Sequence, residues 1–352
     1  MMNDPTLLRD RFAKFLGDHT RVEQELAIPG RRYYSPWDSG TSYGVNAILN
    51  RYCGMKFPGE WPLAGFWTHG WTPSFAMVHP YQVACLAKPG ENPMNFVSRR
   101  DAADYLLANG FDRVQAVGLP FLYLPTCNAQ RIPSSILVAP FHSPPGFSVS
   151  SRHVPPLVEV LIELRRKFEL VVGCIHPQCI KDGLWIDDFK KAGVSYVSGA
   201  NMRDSNSLYR MRHLFQTFEA VATNGFGSLL AYAALCGARV GVTENFMEDN
   251  RRLLLRDMFY GKNPHVLDLM LEALSEQSLK KSCSFLWNDL TKGEPPVEWA
   301  RKELGWECRL APEEAIDGFG LQPTVRLRNA ALGLGKKATF ALRRRLYSFT
   351  HK

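Results

Sequence analysis

The apolar positions of this 352-residue chain fall into two rhythms that take turns. Short unbroken runs, such as Ala220, Val221 and Ala222, fit strands buried on both faces. Stretches with apolar residues three and four apart fit helices. The segment that organises the rest is 218–242, FEAVATNGFGSLLAYAALCGARVGV. It reads as a strand, a small polar turn, a helix over 229–235 stopped at Gly237, and a second strand over 239–242.

The alternation of strands and helices predicts an α/β fold. In the first half it gives helices over 7–16 and 45–53 and strands over 63–67, 82–86 and 113–117. A further helix over 100–109 is closed by Gly110. The polar, proline-bearing stretch 126–134 reads as a linker. A second series follows, with strands over 135–139, 169–174 and 194–197 and helices over 155–168, 187–192 and 208–215. Beyond Val242 the pattern is mostly helical, over 250–259, 265–274 and 297–304. These blocks divide the chain into an N-terminal unit at 1–126, a C-terminal α/β unit at 127–290, and helices with a basic tail at 291–352.

Hydrophobic residues make up 45% of the chain, enough for real cores. No run reaches the roughly 18 consecutive apolar residues of a membrane helix, and the first residues have no apolar stretch of the signal-peptide kind. A cytoplasmic location is therefore expected. Eight cysteines are scattered without a C-x-x-C pair, which fits reduced structural thiols and argues against a zinc site. The net charge of +8 belongs to the tail: eight Lys or Arg and no acid follow Asp317. Taking those eight from 42 basic residues leaves 34, equal to the 34 acidic ones, so no nucleic-acid groove is expected in the body. Within the tail, Ala338, Leu342, Leu346 and Phe349 share one helical face among Lys336, Lys337 and Arg343 to Arg345. That pattern fits a helix on an anionic membrane surface, a disordered basic tail, or a helix packed on the body.

Candidate chemistry gathers where strands end. Thr223, Asn224, Gly225, Gly227 and Ser228 form a turn leading into a helix N-terminus. Free N–H groups and the helix dipole favour an anion there, although any strand-to-helix turn uses such residues. Neither G-x-G-x-x-G nor a Walker G-K-[ST] is present. His142 and Ser143 follow the strand 135–139, His176 and Pro177 follow 169–174, and Glu244 follows 239–242. In a parallel sheet these stand on one rim, where ligands bind. In the first half, His69 ends the strand 63–67 and can act as a base near neutral pH, or be a structural loop histidine. Asp38 lies in the aromatic stretch RRYYSPWDSGTSYG, which could line a sugar pocket or be a packed surface loop.

These features resemble the GT-B glycosyltransferases. The likeness covers 112–245 most clearly: the turn Gly118-Leu119-Pro120, then a short helix, a strand, TNGFGS, a helix and Gly237-Ala238-Arg239-Val240. His176-Pro177 is similar to the His-Pro motif of bacterial sialyl-, Kdo- and polyol-phosphate transferases, which use cytidine-nucleotide donors and bring the His to the donor phosphate. The family's usual Asn-Ser stands here as Asn224-Gly225. The resemblance implies two Rossmann-like doubly wound domains facing a cleft. It also implies an enzyme of capsule or lipopolysaccharide synthesis, working at the cytoplasmic side of the inner membrane. A nucleotide-sugar donor, CMP-linked by the His-Pro likeness, would bind His142, Ser143, His176, Pro177, Thr223, Asn224, Gly225, Gly227, Ser228 and Glu244. The base would be His69, with Asp38 second, and the acceptor a glycan or lipid-linked sugar. No metal or cofactor is implied, and the lack of an E-x(7)-E signature favours inversion. A nucleotide-sugar epimerase of the same fold and a non-catalytic sugar- or nucleotide-binding assembly protein are the alternatives.

Overall fold

The computed structural model describes residues 4–32, 42–55, 63, 65–68, 70–84, 94–142, 156–244, 246, 251–322 and 324–325. The expected Asp38, His69, Ser143 and the basic tail at 332–349 lie outside these residues.

The chain opens with α1 (Pro5–Ala13), α2 (His19–Glu25) and α3 (Val45–Tyr52). The Asp4 carboxylate accepts the N–H of Thr6 at 2.9 Å and Pro5 takes the first helical position, so α1 starts with its first donors satisfied. Next come β1 (Gly65–Trp67), β2 (Met94–Val97), α4 (Arg100–Ala108) and β3 (Val114–Ala116). The three strands form a parallel sheet in the order β1-β2-β3. Of the strand expected over 82–86, the described residues 82–84 form none: Pro80–Gln82 is a 3-10 turn, and the Pro80 carbonyl accepts from Val83 and Ala84. Among the described residues this sheet has one crossover helix, less than a doubly wound domain carries.

The second series runs β4 (Ile132–Val138), α5 (Val158–Lys167), β5 (Leu170–Ile175), α6 (Pro177–Lys181), α7 (Ile186–Lys191), β6 (Tyr196–Ser198), α8 (Ser207–Thr217), β7 (Phe218–Thr223), α9 (Ser228–Leu235) and β8 (Arg239–Val242). The five strands form a parallel sheet in the order β6-β5-β4-β7-β8, a Rossmann-like arrangement. Successive strands build outward from β4 to β6, then return to the other side of β4 with β7. The chain direction across the sheet therefore reverses between β4 and β7, the crevice where open α/β sheets hold ligands. Helices α10 (Arg251–Leu254), α11 (Pro264–Ala273), α12 (Glu276–Ser282), α13 (Val297–Leu304) and α14 (Pro312–Gly318) complete the described chain. None of its helices is long and apolar enough to cross a membrane.

Side chains cover the five-stranded sheet on both faces. On one, Ile136, Val138, Leu161, Val171, Phe189 and Ala220 form a core with α5 and α7. The other face joins a larger core that also contains Phe96, Val117 and Phe121, so the two sheets share one hydrophobic interior. Sequence distance does not decide which unit an element joins. Helices α1 and α2, expected with the N-terminal unit, pack on the five-stranded sheet: Ser195 Oγ donates to the Phe12 carbonyl at 2.7 Å, and Glu23 accepts the Ser198 N–H at 2.9 Å. In the opposite direction, the ends of α13 and α14 reach the small sheet. The Leu304 carbonyl accepts the Leu119 N–H at 3.0 Å, and Phe319 packs on Trp67 with ring centroids 4.4 Å apart.

Candidate functional site

The site is built on the carboxyl ends of β4, β5 and β7. After β4 the chain turns at Phe141 and His142, and after β5 it turns at His176, the N-cap of α6. The two imidazoles stack, with ring centroids 4.5 Å apart and planes inclined by 17°. Pro177, with no N–H of its own, opens the helix, and His176 Nδ1 accepts the N–H of Gln178 at 3.2 Å. That bond fixes the tautomer: Nδ1 is the acceptor, so Nε2 carries the proton of the neutral ring. Burial pushes the His176 pKa down to about 4, and the neighbouring His142 adds to the effect. At neutral pH His176 is thus an uncharged N–H donor.

After β7 the chain enters the turn expected to hold an anion. Asn224 is 1% exposed, and its Oδ1 accepts the Phe141 N–H at 2.7 Å, joining the β4 and β7 ends across the reversal point. Its Nδ2 is buried and has no hydrogen-bond partner among the described residues. A buried amide donor left open in this way marks a place for an acceptor. Thr223 serves the turn itself, since its Oγ1 accepts the N–H of Gly225 at 3.1 Å from a fully buried position. Gly225 is required by space: a Cβ there would lie 2.8 Å from Phe141 Cδ2. At Gly227 the backbone is extended and a Cβ would meet nothing within 4 Å, so the approach to the α9 N-terminus is open. Gly227 brings no capping side chain; the Leu230 N–H goes to the Gly227 carbonyl at 3.1 Å, and the Ser228 and Leu229 N–H groups have no intrahelical acceptor. Glu244 stands exposed beyond β8, where Thr243 N–H donates to the Thr223 carbonyl at 2.9 Å.

The N-terminal half reaches this rim through Trp71. Its backbone N–H donates to Ser228 Oγ at 2.8 Å, and its ring lies 5.0 Å from that of Phe226. The indole Nε1–H donates to Glu303 at 2.8 Å, and Glu303 also pairs with the buried Arg99 at 3.1 Å. Among the described residues the Ser228 hydroxyl proton has no acceptor.

The structure therefore brings His142, His176, Asn224 and Gly225 into one connected group, with Ser228 on the same rim. Trp71, Phe141 and Trp185 also belong to the site, and nothing in the sequence pattern marks them. Trp185 reaches it by donating Nε1–H to the Phe141 carbonyl at 3.0 Å. Among the described residues no group of His, Cys, Asp and Glu could hold a metal ion, and the seven described cysteines form no disulfide.

No protein family matches the chain, and no curated protein matches it. Solved structures that resemble it include that of S. aureus MnaA with UDP, at 13% identity and a TM-score of 0.30. That match covers 57% of this chain and 57% of that one, less than two thirds of the length of either. A likeness of this degree carries no function across, and the site stands on its own geometry.

Proposed function

We propose that this rim binds the phosphates of a nucleotide-sugar and that the chain is a glycosyltransferase. The observation that carries the reading is the Asn224 amide, buried at the β4–β7 reversal with its Nδ2–H open, beside the uncapped N-terminus of α9. Donors without net charge on one rim suit an anion that gains charge as a bond to it breaks. The Asn224 amide, the His176 Nε2–H, the Ser228 hydroxyl and the α9 N–H groups would hold the leaving nucleotide. Because they are already oriented, they stabilise its developing charge with little reorganisation.

The finer features of this reading rest on the resemblance to GT-B enzymes. They are the two-lobed cleft, a base at His69 or Asp38, a glycan or lipid-linked acceptor, and a tail that docks on anionic membrane. The test follows a radiolabelled sugar from CMP-, UDP- and GDP-linked donors, with and without a lipid-linked acceptor. Label passing to the acceptor supports the glycosyltransferase reading. A new free nucleotide sugar formed without acceptor would replace it with an epimerase, and binding without turnover would replace it with a binding protein.

A further inference from the structure

Both backbone polar groups of Phe141 are held, one in the peptide before it and one in the peptide after. Its N–H goes to Asn224 Oδ1 at 2.7 Å, and its carbonyl accepts the Trp185 indole N–H at 3.0 Å. The two side chains come from opposite sides, one from the end of β7 and the other from the residue before α7. The next residue in the chain is His142, whose ring is stacked on His176. Trp185 is 4% exposed, and its backbone sits at φ 72°, a conformation that bulky residues avoid. Such a conformation persists when surrounding contacts over-determine it. A smaller or more flexible residue at 185 would satisfy the backbone but could not reach Phe141.

We propose that Trp185 is a positioning residue for the paired histidines: its indole N–H, acting with Asn224 on the Phe141 backbone, fixes the height at which His142 lies over His176. The functional consequence rests on the phosphate-site reading above. With the clamp in place, the His176 Nε2–H keeps one direction and the ligand finds it already oriented. Without it, the 141–142 peptide can rotate, the stack opens, and the donor loses its fixed aim. Trp185 itself touches no ligand in this account. It acts through Phe141.

The test uses the full chain carrying Trp185→Phe, which keeps an aromatic ring and deletes the N–H. The first readout is the NMR shift of the His176 ring protons, which the overlying His142 ring displaces upfield. In Trp185→Phe these protons move downfield, in the direction that His142→Ala produces, and affinity for CMP or UDP falls about tenfold. Unchanged His176 ring shifts in the folded variant overturn the proposal and leave Trp185 a core residue only. If the variant does not fold, hydrogen exchange of the Trp185 indole proton in the unaltered chain decides. Slow exchange supports the clamp, and exchange at the rate of a free indole overturns it. An unaltered chain that binds neither CMP nor UDP would sink the phosphate-site reading, while the ring shifts still decide the role of Trp185.

Discussion

The Ser228 hydroxyl oxygen accepts the backbone N–H of Trp71 at 2.8 Å, across 157 residues of sequence. One small side chain thus joins the first turn of α9 to the strand-end segment of the small sheet. Ser228→Ala leaves the Trp71 N–H without its acceptor and should lower stability by about 1–2 kcal/mol. It should also weaken nucleotide binding, because the proposed phosphate site counts the same hydroxyl among its donors. Urea denaturation and calorimetric titration measure the two effects separately. A variant unaltered in both would show that the bond joins nothing of consequence.

Gly225 is argued from space, so it can be tested by one methyl group. An added Cβ would lie 2.8 Å from Phe141 Cδ2 and 3.3 Å from its Cβ. The ring has to move, and the peptide held by Asn224 moves with it. Gly225→Ala should cost about 1–3 kcal/mol and weaken ligand binding. Gly227→Ala, where the space is open, should leave stability close to that of the unaltered chain. Equal destabilisation by both substitutions would contradict the packing described at 225.

The buried histidine predicts a direction of pH dependence. The His176 pKa is lowered from 6.5 to about 4, first by burial and then by His142. Between those values the unfolded chain binds a proton at this ring that the folded chain refuses. The stability from the neutral ring is therefore complete above about pH 6.5, falls as pH drops towards about 4, and levels off below. The size is at most on the order of 3 kcal/mol, less whatever solvent at the partly open ring screens. His176→Gln should flatten this part of the curve, measured by urea midpoints from pH 7 to 4. An unchanged slope would place the ring's proton uptake elsewhere.

The strongest stability effect is expected away from the rim. Glu23, Arg210 and Asp204 are buried together: Arg210 pairs with Glu23 at 3.2 Å and with Asp204 at 3.7 Å, and Arg31 adds a second cation to Glu23 at 2.5 Å. Glu23 also accepts the Ser198 N–H, so this network bolts α2 to the end of β6. Arg210→Met leaves two carboxylates short of a partner in the interior and should cost about 3–5 kcal/mol. A thermal midpoint within a degree or two of the unaltered chain would refute that reading of the cluster.

Much of the fold is legible where apolar runs are bounded by glycine or a polar turn. The strand over 239–242, the helix closed by Gly237 and the helix over 297–304 match β8, α9 and α13. β2 is hidden because Met94-Asn95-Phe96-Val97 follows a proline-bearing polar stretch and carries only four residues. The packing of α1 and α2 on the distant sheet leaves no local trace, since an amphipathic face does not say which partner it seeks. At the site, the rim residues could be read because strand ends in parallel sheets are predictable. Contacts such as Trp185 with Phe141, or Trp71 with Ser228, span 44 and 157 residues and exist only in the folded chain.

A nucleotide phosphate held at the β4–β7 reversal should show itself in thermal unfolding of the full chain with CMP, UDP and GDP. A ligand bound only by the folded state at about 100 times its Kd adds about 2.7 kcal/mol. At least one nucleotide should raise the melting temperature, and Asn224→Ala and His176→Ala should each remove most of the rise. No rise with any nucleotide, or a rise that survives both substitutions undiminished, would contradict the phosphate site.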